Sequence, residues 1–194
     1  TTIYNMALNL KHKALKGVQI VQLKGGISHS QSNTYAYEVV ELFSEAFSTV
    51  GRYLPLPVMF DTAQIKELIE RDKHIKKILD LGRQANIAVF TVGTVKNDAL
   101  LFRLGYIDKK DRDIIQNRAV GDICSRFIDA QGNICDKELD ERTVGIKLED
   151  LKEKEKRVLV AGSKRKISAI KATLVGEIAN ILITDQYTAQ ELLK

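Results

Sequence analysis

An α/β fold with a mainly parallel, right-handed sheet is what the sequence predicts, and three observations carry that prediction. Short apolar runs at Val18–Leu23, Arg52–Leu54, Asn86–Val92, Arg157–Ala161 and Ile181–Thr184 read as buried strands. Helical patterns alternate with these runs, the signature of parallel strands joined by crossovers. Glycines follow at the carboxyl ends of the first, third and fourth runs, as Gly25-Gly26, Gly93 and Gly162. Open α/β sheets bind their ligands at that edge.

In chain order, Thr1 and Thr2 precede Ile3, Met6, Ala7, Leu10 and Ala14, which predicts an amphipathic helix with a threonine near its cap. After the first strand the paired glycines break the pattern, and Thr34–Phe47 reads as a helix that turns Val39, Leu42, Phe43, Ala46 and Phe47 to the sheet. Pro55 and Pro57 keep the chain extended. Asp61-Thr62 caps a helix over Ala63–Arg71, and Ile75, Ile78 and Leu79 carry a second helical pattern to Leu81. A further helix is expected over Asp108–Asn117. Ala119–Asp129, the turn Ala130–Asn133 and Asn133–Cys135 read as a small antiparallel hairpin or meander insertion, to which Arg142–Ile146 is expected to add. With 129 opposite 134, Cys135 faces residue 128 and Cys124 faces residue 139, so no disulfide is expected. Lys152–Arg157 alternates in charge and reads as a solvated helix face. Gly176 ends the helix that carries Ile167, Ile170, Leu174 and Val175, and Thr188–Leu193 forms the last one.

The chain of 194 residues suits one domain, 1–194, with one core. No apolar run approaches the roughly 18 residues of a membrane helix, and the start lacks a signal pattern, so a cytoplasmic protein without a membrane partner is expected. His12, His29 and His74 are scattered and the cysteines have no CxxC spacing, which predicts neither metal nor cofactor. A net charge of +5 is compatible with nucleic acid, but the cations are interleaved with acids, so a DNA-reading head is expected elsewhere. Because the first pattern is helical, the first strand of a doubly wound sheet is expected to lie outside this chain.

Lys24 stands at the rim of the first strand. A lysine there can hold a phosphate as a point charge or, in a dry pocket, condense with an aldehyde as a Schiff base; a plain surface lysine is the alternative. Gly25, Gly26 and Gly93 offer backbone N–H groups to an anion. Lys164, Arg165 and Lys166 put three cations at a helix start, against the macrodipole, and a bound phosphate would relieve that conflict unless the cations simply face solvent. Asp122 is a capping or turn aspartate, an acceptor for a sugar hydroxyl or a partner for Lys24. With Lys24 as electrophile and Asp122 as base, the same set would suit a sugar-phosphate isomerase or aldolase.

Taken together, Thr1-Thr2, Val21–Gly26, Tyr53–Pro57, Ala119–Ile123, Val160–Ile167 and Asn180–Asp185 resemble the sugar-binding effector domain of the SorC family of bacterial transcriptional regulators, over nearly the whole chain. The runs Gln22–Ser30 and Phe90–Val95 resemble its deoxyribonucleoside-regulator branch. The resemblance implies a Rossmann-like domain of the sugar-phosphate isomerase/CoA-transferase type that senses a phosphosugar, deoxyribose 5-phosphate, without catalysis. It implies a homo-oligomer that reaches operator DNA through a helix-turn-helix region outside this chain. By the same match Thr1, Thr2 and Lys166 contact phosphate and Lys24 engages the C1 aldehyde; Gly25, Gly26, Ser28, Gly93 and Asp122 are expected to complete the site. One departure stands out: Gly162-Ser163 occupies the place of a Gly-Gly pair.

Overall fold

The computed structural model describes residues 2–27 and 35–194. They fall into two compact units, Thr1–Gln84 with Val144–Ile146, and Ala85–Thr143 with Lys147–Lys194.

The first unit runs α1 (Thr2–Ala7), β1 (Ile20–Val21), α2 (Ala36–Ala46), β2 (Gly51–Arg52), α3 (Ala63–Glu70) and α4 (Lys73–Gln84). Helix α1 stops well short of Ala14. Asn9 N–H and Leu10 N–H bond three residues back, to Met6 and Ala7, and Lys13 N–H then donates to the Ala46 carbonyl at 2.6 Å, drawing the chain past the end of α2. Strands β1 and β2 pair in parallel, Ile20 opposite Gly51 and Val21 opposite Arg52. The regular ladder is shorter than the apolar run because Pro55 and Pro57 have no N–H to give it. What continues it is a pair of bonds, Gly26 N–H to the Leu56 carbonyl at 2.8 Å and Val58 N–H to the Gly26 carbonyl at 2.7 Å. Leu54, Leu79 and Val144 form the core here, with Leu56, Phe60, Ile75 and Ile78 against them. Thr62 caps α3 as expected, and the Asp72 carboxylate accepts His74 N–H and Ile75 N–H to start α4.

The second unit runs β3 (Ile87–Phe90), β4 (Val92–Gly93), α5 (Leu100–Arg103), α6 (Lys109–Arg118), β5 (Gly121–Ile123), β6 (Arg126–Ile128), α7 (Lys137–Arg142), α8 (Leu148–Lys152), β7 (Lys156–Val160), a 3-10 turn (Lys164–Lys166), α9 (Ile167–Val175), β8 (Ile181–Ile183) and α10 (Gln186–Leu192). Its parallel sheet has the order β3-β7-β8, and its antiparallel sheet the order β4-β5-β6. The fold is thus mixed α/β, with parallel sheets flanked by helices and a small antiparallel sheet. Ile115, Ile123, Ile128, Leu151, Leu159, Ile170 and Ile178 are fully buried, each contributing about 1.5–3 kcal/mol of transfer free energy.

Several expectations are corrected in this unit. The run Asn86–Val92 is two strands: β3 lies in the parallel sheet, and after Thr91 the chain enters the antiparallel one. The run Ala119–Asp129 is itself a hairpin, because Cys124 and Ser125 both take positive φ (51° and 70°), the backbone that a tight two-residue turn requires. A second turn then sets Ile134 opposite Ile128 and Cys135 N–H on the Phe127 carbonyl, one residue off the expected register. Neither cysteine is in a disulfide, and burial with the nearby Asp129 charge pushes the Cys135 thiol up to about 11. Arg142–Ile146 does not extend the hairpin: Arg142 ends α7, and residues 144–146 belong to the first unit. Lys154 is not on a solvated face but 3% exposed, and burial lowers its pKa against the pull of Asp150. Arg126, on β6, is 1% exposed; its guanidinium donates to the Asp140 carboxylate at 2.6 Å and to the Thr143 carbonyl at 3.3 Å, pinning the end of α7.

Candidate functional site

In the first unit, Lys24 follows β1 and is half-buried. Its backbone pairs antiparallel with Gly145, and Gly25 N–H donates to the Val144 carbonyl at 3.2 Å while Ile146 N–H donates to the Leu23 carbonyl at 2.8 Å. On the other side residues 56–58 complete a three-ply arrangement. Gly25 is required there, since a Cβ would lie 2.6 Å from the Pro57 carbonyl carbon. The Gln22 side-chain amide donates to the Lys24 carbonyl at 2.7 Å, stiffening the rim further. This corrects one expectation. Gly25 N–H and Gly26 N–H are engaged by Val144 and Leu56, so they are not the bare amides an anion loop needs; the glycines let neighbouring backbone close on the lysine instead. Thr2 opens α1 and is half-buried. Thr1 and Ser28 lie outside the described residues.

In the second unit, three of the expected residues come together. Gly93 stands opposite Asp122 in the β4–β5 ladder, and a Cβ on Gly93 would run into the Asp122 carboxylate. One oxygen of that carboxylate accepts Ser125 N–H at 3.0 Å, so the turn role of Asp122 is real. Its charge also acts on Lys166. Burial lowers the pKa of the half-buried Lys166 ammonium, and the Asp122 charge works the other way. Lys166 closes the 3-10 turn where α9 begins, and α9 packs on β4 and β5, the strands that carry its two partners.

The turn that presents Lys166 is held by residues sequence reasoning had read only as a strand end and a helix start. Ser163 N–H donates to Thr188 Oγ1 at 2.9 Å, whose hydroxyl donates to Asp185 at 2.8 Å, and Asp185 also caps α10 through Thr188 N–H. Ser163 itself has φ 105°, a region that strongly favours glycine. The departure from Gly-Gly therefore stores strain, offset by Ser163 Oγ accepting Arg165 N–H at 3.3 Å. The only signal for this in the sequence was the departure itself.

Among the described residues no group of His, Cys, Asp and Glu could hold a metal ion, and no helix is long and apolar enough to cross a membrane. Chemically, the second-unit cluster is a partly desolvated cation beside a carboxylate, suited to a ligand that carries both an anionic group and a hydroxyl. The first-unit edge is an amine on a rigid backbone frame.

The whole chain, residues 1–194, matches the family described as "Putative sugar-binding domain". It is similar to the deoxyribonucleoside regulator of Bacillus subtilis (strain 168), 55% identical over 193 residues, which is 100% of this chain and 62% of that protein. Among solved structures it is similar to a transcriptional regulator from Streptococcus pneumoniae TIGR4, at 25% identity and TM-score 0.91, covering 100% of this chain and 74% of that one. The full-length sorbitol operon regulator SorC from Klebsiella pneumoniae shares the fold, with TM-score 0.89 at 24% identity, over 99% of this chain and 63% of that one. The chain thus spans about six-tenths of the Bacillus relative's length. These relatives are transcriptional regulators rather than enzymes, which sets the isomerase or aldolase alternative aside. Matched from end to end, the chain belongs to the sugar-binding domain family of SorC-type transcriptional regulators.

Proposed function

We propose that this chain is the effector-binding part of a cytoplasmic bacterial regulator, and that its effector is deoxyribose 5-phosphate. Lys24 engages the C1 aldehyde. Thr1, Thr2 and Lys166 take the phosphate, Asp122 accepts a sugar hydroxyl, and Gly93 leaves room for that carboxylate; Ser28 joins the set. The observation that carries this reading is the 55% identity, along the entire chain, to a protein named for deoxyribonucleoside regulation, with a lysine at the glycine edge where an aldehyde would be met. The full-length protein acts as a homo-oligomer on operator DNA through a helix-turn-helix region outside these residues, controlling genes of deoxyribonucleoside and sugar catabolism. A sensor needs only a ligand whose affinity differs between two arrangements of the protein, so turnover is not required.

Condensation of the Lys24 amine with the aldehyde forms a C–N double bond and releases one water, and borohydride reduces that bond to a stable secondary amine. Treating the protein with deoxyribose 5-phosphate and borohydride should add the mass of one ligand less one oxygen to the native chain and none to Lys24→Ala, while the sugar alone raises the melting temperature without being consumed. Equal labelling of the variant would move the chemistry to another amine.

A further inference from the structure

One ion pair beside the Lys166 turn has no part in the reading above. Arg165 Nη2 lies 2.6 and 2.7 Å from the two carboxylate oxygens of Asp98, and both side chains are about half exposed, at 51% and 58%. Asp98 sits on the stretch that leaves Gly93. Elsewhere that stretch is tied to α6: the Gln116 amide donates to the Val95 carbonyl at 2.9 Å, and Arg112 donates to Asn97 Oδ1 at 2.7 Å. A circuit therefore closes within this unit. Gly93 opposes Asp122, the Asp122 charge acts on Lys166, Lys166 follows Arg165, and Arg165 returns to Asp98 on the segment after Gly93.

An exposed arginine–carboxylate pair contributes little to stability and opens readily. A phosphate near its dianionic state offers the guanidinium more charge and more acceptor oxygens than one carboxylate does. Lys164, Arg165 and Lys166 together oppose the field of α9, and Asp98 offsets one of them. We propose that Arg165 is a second phosphate contact and that Asp98 is its internal competitor. Phosphate at the Gly162–Lys166 turn takes Arg165 from Asp98, and the stretch 94–98 loses its tie to that turn. The exchange selects phosphorylated over unphosphorylated sugar and couples occupancy to the freedom of one loop. It rests on the reading of Lys166 as a phosphate contact.

Calorimetric titration of the native chain, Arg165→Gln, Asp98→Asn and Lys166→Gln with deoxyribose 5-phosphate and with deoxyribose tests this. Arg165→Gln should weaken the sugar phosphate roughly tenfold or more, as loss of a charged hydrogen bond does, whereas Asp98→Asn should tighten it by about threefold to tenfold. Neither should change the response to deoxyribose. If Asp98→Asn weakens binding as much as Arg165→Gln, the pair only braces the loop and the inference fails. If neither variant differs from the native chain while Lys166→Gln loses affinity, the inference fails and the reading of the site stands. A native chain that binds no sugar phosphate overturns both.

Discussion

The two lysines of the proposed site are presented by different physics. Lys24 is held by backbone: residues 144–146 on one side and 56–58 on the other, with a glycine beside it because there is no space for a Cβ. Lys166 is held by side chains: Thr188 and Asp185 support its turn, the Asp122 charge acts on it, and burial depresses its pKa. A frame of main-chain hydrogen bonds is rigid and indifferent to pH over the ordinary range. A frame of charges and hydroxyls can respond to ligand and to protons.

The largest way to break this contrast is Gly25→Ala. The added methyl meets Pro57 backbone, which has no rotamer to escape by, so a loss of about 3 kcal/mol or outright failure to fold is expected in denaturant unfolding.

The next test addresses the side-chain frame through pH. The folded-state pKa of Lys166 is lowered from 10.5, so the folded chain binds this proton less readily than the unfolded chain does. Its destabilising effect is fully present below the folded value and is relieved as pH rises from there toward 10.5. Inorganic phosphate needs the charged amine, so its binding should weaken over that same window while the ligand-free protein gains stability. Lys166→Met should flatten both trends in paired thermal melts and phosphate titrations; an unchanged pH profile in the variant would assign the window to another group.

The smallest expected effect sharpens the comparison instead. Ser163→Gly relieves a positive φ but loses the bond to Arg165 N–H, so a net gain of about 1 kcal/mol or less is expected, with phosphate affinity preserved. A loss of affinity with a gain in stability would show that the strained serine helps to aim Lys166.

The residues proposed for the site stand out in the sequence one at a time. Asp122 after Gly121, Lys166 at a helix start and Lys24 beside two glycines stood out because each conflicts with its local surroundings, a charge in an apolar run or a cation against a helix field. The partnerships were not legible. Gly93 and Asp122 meet only because the chain leaves the parallel sheet at Thr91 and because Cys124 and Ser125 turn the next apolar run back on itself. Nothing in the apolar pattern marks either break, since Val92, Ile123 and Phe127 are buried in both readings. The roles of Gly25 and Gly26 were misread for the same reason. A glycine pair serves an anion loop or a close backbone approach equally well, and only the arrival of Pro57 and Val144 decides between them.

The amino-acid order by itself determined the class of the fold and its helix caps, because apolar period, capping side chains and proline act within a few residues of where they stand. Thr62, Asp108 and Asp185 cap the helices they precede for that local reason. Tertiary structure alone decided the strand register, the burial of Arg126 and Lys154, and the company that Lys24 and Lys166 keep. Those depend on which distant backbone supplies the missing hydrogen-bond partner, a question that local periodicity does not pose.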